Sequence, residues 1–365
     1  MKALDRLYLE RAYELAERGA GSTSPNPAVG AVIVRDGEIV GEGYHHRAGE
    51  PHAEVHALRM AGDRSRGATL YVSLEPCSHF GRTPPCAHAV CDAGISRVVA
   101  GASDPNPKTD GRGAQYLRDR GIEVEIAGDE RARTIIEPFA RAIRSNRPYV
   151  TLKMAMSIDG FIASKPGRQE WLTGEEAREY VRELRIAHDA VAVGAGTVRV
   201  DNPQLTVRPP HRRMREYVRV VMCETDTVDA SSTVFVPEDG YAQTILVAPR
   251  GAREKFSNVT SVANVVLVGD DAAMQLDIAG ALQALHTRGI TSMLCEGGPT
   301  TAGHLLQRGL VDRLVWLVAP RLLRTAEAVP VLTAGDLAAV RGLRFDGVER
   351  LGADLLISGR FESHV

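Results

Sequence analysis

Two short stretches carry residues whose types and spacing can do chemistry. In "GEPHAEVHAL" (49–58) a histidine and a glutamate stand two apart, directly after a proline, at what reads as a helix start. Downstream, "SLEPCSHFGRTPPC" (73–86) offers Cys77 and Cys86, each preceded by proline. One imidazole and two thiolates make three nitrogen/sulfur ligands, the count a catalytic zinc takes when its fourth position stays open for water. Two thiolates and a neutral imidazole also leave a dication site near neutral. His52 and Cys86 both fall at helix starts, where the positive end of the dipole favours a thiolate and a hydroxide.

Glu54 decides how this cluster is read. A residue two along a regular helix points ~200° away, so His52 and Glu54 cannot share a face. They address one site only if it lies off the helix end, which is where Pro51 puts His52. Glu54 is then no ligand but a shuttle, moving protons between a metal-activated water and a leaving group. The order H-x-E, then P-C, then a second Cys is that of the zinc nucleobase deaminases. A zincin helix would carry its glutamate immediately after the first histidine; here that residue is Ala53, so His56 reads as a packed or surface histidine. Cys91 lies ~140° round the helix from Cys86 and is expected to face the core, while His88 lies ~200° round. His79, between the two cysteines, could touch substrate. A purely structural zinc would have to draw a fourth ligand from His79 or His88.

The elements that hold these residues follow from periodicity. The chain has 365 residues, which suggests two domains. Residues 4–18 have helical apolar spacing, and "AVGAVIVRDGEIVGEGY" reads as a hairpin turning at Asp36-Gly37. Helices are then expected at 53–61, 86–93, 112–120 and 130–145, alternating with strands at 68–73, 96–100 and 122–126. After the polar "SNRPY" the alternation restarts. Strands are expected at 149–156, 189–194, 218–223, 244–248, 264–268, 291–295 and 313–319. Helices are expected at 175–187, 275–288 and 300–308, with two closing strands near 343–358. This alternation is that of an α/β protein, and the boundary near 145–150 gives domains 1–146 and 147–365. "RPPHRRMREY" is read as a basic surface loop.

Composition narrows the partners. With 44% apolar and 25% charged residues the chain has the make-up of a soluble globular protein, and no apolar run approaches the ~18 residues of a membrane span. The first twenty residues are charged and amphipathic, unlike a signal peptide. Five cysteines, an odd number, fit a reducing compartment, read as the cytoplasm. A net charge of −2 without a Lys/Arg block argues against nucleic acid as partner.

In the second half there is no G-x-G-x-x-G. "SMLCEGGPTTAGHLL" runs from a strand through Glu-Gly-Gly-Pro into a helix, a place where backbone can approach a ligand and free amides suit phosphate; it can equally be an ordinary strand–helix turn. "LKMAMSIDGFIA" and "VGAGTVRVDNPQLTVR" each read as turn chemistry when taken singly.

Taken together, "NPAVGAVIV", "GEGYHHRAGEPHAEVHAL", "SLEPCSHFGRTPPC" and "DPNPKTDGRG", followed by the three C-terminal segments in order, resemble the bifunctional deaminase–reductase family of riboflavin biosynthesis. The resemblance covers essentially the whole chain, including the long loop between the cysteines. It implies a cytidine-deaminase-like three-layer α/β/α domain followed by a dihydrofolate-reductase-like α/β domain. It further implies deamination of 2,5-diamino-6-ribosylamino-4(3H)-pyrimidinone 5′-phosphate, then NADPH reduction of the product's ribosyl group to ribityl. By position, His52, Cys77 and Cys86 would hold one Zn2+ per chain, with Glu54 the proton shuttle. Asn26, His45, His79 and Asn106 would line the pyrimidine pocket. Met156, Trp171, Thr197, Asp201 and the run Gly298, Pro299, Thr300, Thr301, Ala302, Gly303 and His304 would contact NADPH. Lys153, Gln169, Arg185, Leu205, Arg208 and Glu296 would contact the reductase substrate, the arginines suiting a 5′-phosphate. Two positions depart from the family pattern. Gln169-Glu170 stands where Ser-Gln is usual, and a carboxylate there would oppose phosphate if it faced the pocket; Cys223 stands where Asp is common. A homo-oligomer, a dimer or larger, is expected. The rival readings are a substrate-binding second domain without redox activity, a deaminase of tRNA or a free base, and a zinc-stabilised scaffold.

Overall fold

The computed structural model describes residues 3–80, 84–107, 109–207, 215–224, 227–333, 337 and 342–361. The chain divides into two units, Met1–Asn146 and Arg147–Val365.

The first unit runs α1 (Ala3–Glu17), β1 (Gly30–Arg35), β2 (Glu38–Tyr44), α2 (Ala53–Ala61), β3 (Thr69–Leu74), α3 (Cys86–Asp92), β4 (Arg97–Ala102), α4 (Arg112–Arg118), β5 (Glu123–Ile126) and α5 (Glu130–Ser145). Its sheet has the order β2-β1-β3-β4-β5, antiparallel through β3 and parallel from β3 to β5. Asp36 and Gly37 take φ of 54° and 83°, the left-handed pair that closes a two-residue hairpin. Helices cover both faces, and the sheet strands Gly30–Arg35, Thr69–Leu74 and Arg97–Ala102 are almost wholly buried between them. Glycine lets the site-bearing helix sit down on β2. A Cβ on Gly43 would lie 2.6 Å from the Ala53 carbonyl oxygen and 2.7 Å from the Ala57 nitrogen. Gly43→Ala is therefore expected to push α2 off the sheet and cost about 1–3 kcal/mol, the usual scale of overpacking. Urea unfolding of the deaminase unit, with zinc content measured alongside, checks this.

The second unit runs β6 (Tyr149–Ser157), β7 (Phe161–Ala163), α6 (Glu175–Ala187), β8 (Ala190–Gly194), α7 (Ala195–Asp201), β9 (Val218–Met222), β10 (Ile245–Pro249), β11 (Asn264–Val268), α8 (Ile278–His286), β12 (Ser292–Cys295), α9 (Pro299–Gln307), β13 (Arg313–Ala319), β14 (Val329–Pro330), β15 (Leu343–Leu351) and β16 (Asp354–Phe361). The main sheet has the order β11-β10-β9-β8-β12-β6-β13-β16-β15. It is parallel from β11 to β13, and β16 and β15 close it antiparallel. Leu152, Val220 and Val247 pack on one face with Leu282 and Leu285 of α8 and Leu305 of α9. Val193, Leu246 and Leu317 pack on the other with Val181 and Leu184 of α6 and with Phe256 of the 3-10 segment Arg250–Val259. Three elements differ from the sequence expectation. The stretch after Gly194 is a helix, α7, rather than a turn, and β7 and β14 pair as a separate two-stranded sheet. The basic loop lies largely outside the described residues, as does Arg208.

Candidate metal centre and reductase cleft

His52 is the N-cap of α2, in extended conformation (φ −76°, ψ 169°), so its ring leaves the helix axis at the end instead of lying on a face. Its Nδ1 stands 3.0 Å from Cys86 Sγ and 3.7 Å from Cys77 Sγ. Cys86 opens α3, and its backbone N–H donates to Cys77 Sγ at 3.4 Å. The three donor atoms lie within 4.8 Å of one another, and this is the metal-competent group among the described residues. A hydrogen bond between the two thiols pushes Cys77 down to about 4 and Cys86 up, so the pair readily carries one negative charge. Zinc bonds of about 2.0–2.3 Å put tetrahedral ligands roughly 3.3–3.8 Å apart, so this donor set fits the ion.

Glu54 faces the same cluster although it sits two residues along the helix. It is 3% exposed, and its Oε2 is buried without a hydrogen-bond partner. Burial pushes its carboxyl upward; His52 pulls against this and the Cys77 thiolate adds to it. A carboxyl whose basicity is raised and whose oxygen is unengaged is suited to taking up and giving back a proton.

His45 and Asn26 form the neighbouring wall. The His45 ring packs edge-on against His52 with centroids 5.0 Å apart. Its Nδ1 donates to the Pro51 carbonyl at 3.1 Å, which leaves Nε2 to accept from Asn26 Nδ2 at 3.1 Å. Burial pushes this imidazole down to about 4. Between its unfolded value of 6.5 and that lowered value, the unfolded chain binds a proton that the folded chain refuses. Stability of the metal-free deaminase unit therefore falls as pH drops through that window, by at most about 3 kcal/mol. Urea melts of the chelated protein at pH 7 and pH 4.5 check this, and His45→Gln should flatten the difference.

His79 meets Thr109 Oγ1 at 3.2 Å, which ties the loop after Cys77 to the loop that carries Asn106. That second loop is held by Glu75, a residue sequence reasoning did not single out. Its buried carboxylate accepts from the backbone N–H of Asp104 (3.3 Å), Gly111 (3.1 Å) and Ala114 (2.9 Å). The signal available was a carboxylate at a strand end, directly before Pro76-Cys77. His56 stacks on His46, His88 stacks on Tyr116, and Cys91 packs half-buried against the core.

In the second unit a cleft of about 890 Å³ opens at the C-terminal ends of the parallel strands, where open α/β sheets bind ligands. Lys153, Gln169, Trp171, Arg185, Leu205 and Glu296 line it. So do Thr197, Asp201 and the start of α9, Gly298 to Thr301. The sequence had grouped Met156, Ala302, Gly303 and His304 with these, but the structure places them off the wall. Met154, not Met156, lines the cleft; Ala302 packs into the core beneath α9, and His304 turns its Nδ1 to Glu224. Gly298 takes φ of 50°, and Thr197 Oγ1 would lie 3.1 Å from a Cβ there, so backbone is bared at this point.

Charge in the cleft is organised around Glu296. Arg185 Nη2 donates to Glu296 Oε2 at 2.9 Å, and its Nη1 donates to the Thr206 carbonyl at 2.7 Å. Burial pushes the Glu296 carboxyl up, but Arg185 and Lys153 outweigh it and hold the group below its ordinary value. Burial lowers Lys153. Leu205 sits at φ +56°, a strained conformation for a branched side chain, directly before the carbonyl that Arg185 engages. Trp171 is 67% exposed at the rim, with the Arg178 guanidinium 5.8 Å from its ring centre.

Both departures noted in the sequence have a structural place. Glu170 lines the cleft, and there its carboxylate accepts from the Ser164 backbone N–H at 3.0 Å and from the Ser164 hydroxyl. Cys223 is 0% exposed and belongs to the core. The residue beside it, Glu224, lines the cleft and was passed over in the sequence.

Residues 148–357 match the family model of the RibD C-terminal domain, and residues 2–102 match that of the cytidine and deoxycytidylate deaminase zinc-binding region. The riboflavin biosynthesis protein RibD of Escherichia coli (strain K12) is 40% identical, over 97% of this chain and 98% of its own. The chain belongs to the RibD family. The RibD of Aquifex aeolicus is 39% identical over 98% of both chains. A solved RibD of Acinetobacter baumannii superposes with a TM-score of 0.85 at 35% identity, covering 99% of each chain. The Thermotoga maritima diaminohydroxyphosphoribosylaminopyrimidine deaminase/5-amino-6-(5-phosphoribosylamino)uracil reductase gives 0.86 at 33%, over 98% of this chain and 99% of that one. As a member of that family, the chain is a bifunctional enzyme of riboflavin biosynthesis, a zinc-dependent deaminase joined to a reductase.

Proposed function

We propose that the first unit hydrolyses the amino group from 2,5-diamino-6-ribosylamino-4(3H)-pyrimidinone 5′-phosphate, and that the second reduces the ribosyl group of the resulting uracil with a nicotinamide cofactor, NADPH. The observation that carries the first half is the buried, unpartnered oxygen of Glu54 beside the His52, Cys77 and Cys86 donors. Those three residues hold the ion, and zinc bound there would supply a hydroxide at neutral pH. Glu54 takes the proton shed in the attack and returns it to the departing nitrogen, which leaves as ammonia. Asn26, His45, His79 and Asn106 hold the pyrimidine against this carboxyl.

In the second unit Trp171, Thr197, Asp201 and residues 298–301 hold the cofactor. Lys153, Gln169, Arg185, Leu205 and Glu296 hold the phosphorylated sugar, with Met156, Ala302, Gly303 and His304 supporting the cofactor wall from behind. When bound, the cofactor would supply a hydride to C1′ as the C1′–O4′ bond opens and O4′ takes a proton, giving the ribityl chain. Positioning and exclusion of water are the protein's main contributions, because the cofactor carries the hydride. The family match over 148–357 and the cleft at the strand ends support this reading.

No helix among the described residues is long and apolar enough to cross a membrane. We infer a cytoplasmic setting from an odd count of five cysteines that form no disulfide among the described residues, and a homo-oligomer from Phe345 and Val348, which stand exposed on the strand β15. The testing experiment supplies purified protein with the diaminopyrimidine phosphate and NADPH, and follows ammonia and absorbance at once. Ammonia release followed by NADPH loss is the expected result. Ammonia without cofactor oxidation would sink the reductase assignment, and neither signal from zinc-loaded protein would sink the substrate.

A further inference from the structure

A carboxylate stands on the cleft wall that neither half reaction uses. Glu224 lies just past the end of β9 and lines the cleft. It is held from α9, where Thr301 Oγ1 donates to its Oε1 at 3.3 Å and His304 Nδ1 meets its Oε2. Gripped at both oxygens, it is fixed in place, and each oxygen retains lone-pair capacity for another donor.

The sheet order places β9, β8, β12 and β6 side by side. From the end of β9 to the end of β6 is three strand spacings, roughly 14 Å. That distance suits a dinucleotide laid across the strand ends. A dinucleotide so laid would bring its reactive ring to the side of Lys153 and Glu296, its phosphates to the bared backbone of Gly298 and its adenosine ribose to Glu224. The two reduced nicotinamide cofactors differ only at the 2′ position of that ribose, and they deliver the same hydride. A carboxylate at a strand end accepts from a 2′-hydroxyl, whereas a 2′-phosphate calls for arginine.

Resting on the nicotinamide reading of the second unit, we propose that Glu224 is the residue that reads the 2′ position, so that this enzyme accepts NADH with an efficiency close to that for NADPH. Arg199 of α7 lines the same wall, and its Nη1 donates to the Thr227 carbonyl at 3.5 Å. It offers the 2′-phosphate an opposite charge, so NADPH remains a substrate. The end of the cleft thus carries both signs, and Glu224 sets the balance.

The test is equilibrium binding of NADH and of NADPH to wild type and Glu224→Gln, read by fluorescence titration as the ratio of the two Kd values, together with steady-state reduction of the deaminated substrate by each cofactor. In wild type the two kcat/KM values should lie within about tenfold of each other, a gap of one good contact. Glu224→Gln should raise the NADPH-to-NADH ratio by about tenfold through KM, with kcat little changed. If Glu224 only braces α9 through His304, the variant would weaken both cofactors alike, and an unmoved ratio overturns the proposal. A wild-type preference for NADPH beyond about 100-fold overturns it as well. Oxidation of neither cofactor, with ammonia still released, would remove the reductase reading and this proposal with it.

Discussion

Glu54→Gln is expected to lower ammonia release by at least about 10²-fold, the scale of a lost general acid–base group. The variant should keep its zinc and its reductase rate on deaminated substrate. Glutamine has the shape of glutamate and fits the same buried space, so the His52, Cys77 and Cys86 donors stay where they are. It cannot accept a proton at the pH of the reaction. In the metal-free site burial pushes the Glu54 carboxyl above its ordinary value, so its protonated form is within reach. Zinc content by atomic absorption, ammonia release and cofactor oxidation, measured on one preparation, separate the roles. A variant with full ammonia release would show that the glutamate is a packing residue and that the ion is structural.

The metal cluster was legible in the sequence because its information is local. A proline fixes the chain before His52, Cys77 and Cys86, and the impossibility of His52 and Glu54 sharing a helical face already placed the site off the helix end. The structure agrees, with His52 as N-cap and Glu54 buried in the first turn. Asp36-Gly37 was legible for the same reason, since two left-handed residues between alternating strands admit few alternatives.

What stayed hidden depends on distant partners or on very short elements. Glu75 gathers amides 29, 36 and 39 residues further on, and no local pattern announces that. The strands β7 and β14 have three and two residues, too few to show a period. α7 begins Ala-Gly-Thr after a glycine, a composition that favours a turn, and it becomes helical through the packing of Ala195 and Val198 in the core. Met156 lies buried two residues further along β6 than Met154, which lines the cleft, and His304 pairs with Glu224. Side-chain type identified the reductase segments, but only the fold decides which members of a segment face the cleft.

Glu296→Ala should have the largest effect on the second unit. Arg185 meets the carboxylate with two guanidinium nitrogens, and Glu296 also supplies the negative charge that offsets burial of Lys153. Without it two cations confront each other in a poorly solvated cleft. Removing one partner of such a pair costs about 3–5 kcal/mol, because the remaining charge is left uncompensated. Lys153 should shed its proton more readily, and Arg185, still bound to the Thr206 carbonyl, should lose its set orientation. The expected outcome is a C-terminal unit that unfolds at lower urea and a reductase rate reduced by more than tenfold, with ammonia release from the first unit unchanged. Glu296→Gln separates the two effects. It retains the shape and one acceptor, so it should recover most of the stability while reductase KM for the phosphorylated substrate stays altered. Recovery of both stability and KM in Glu296→Gln would show that the carboxylate's charge is dispensable and that the group serves packing alone.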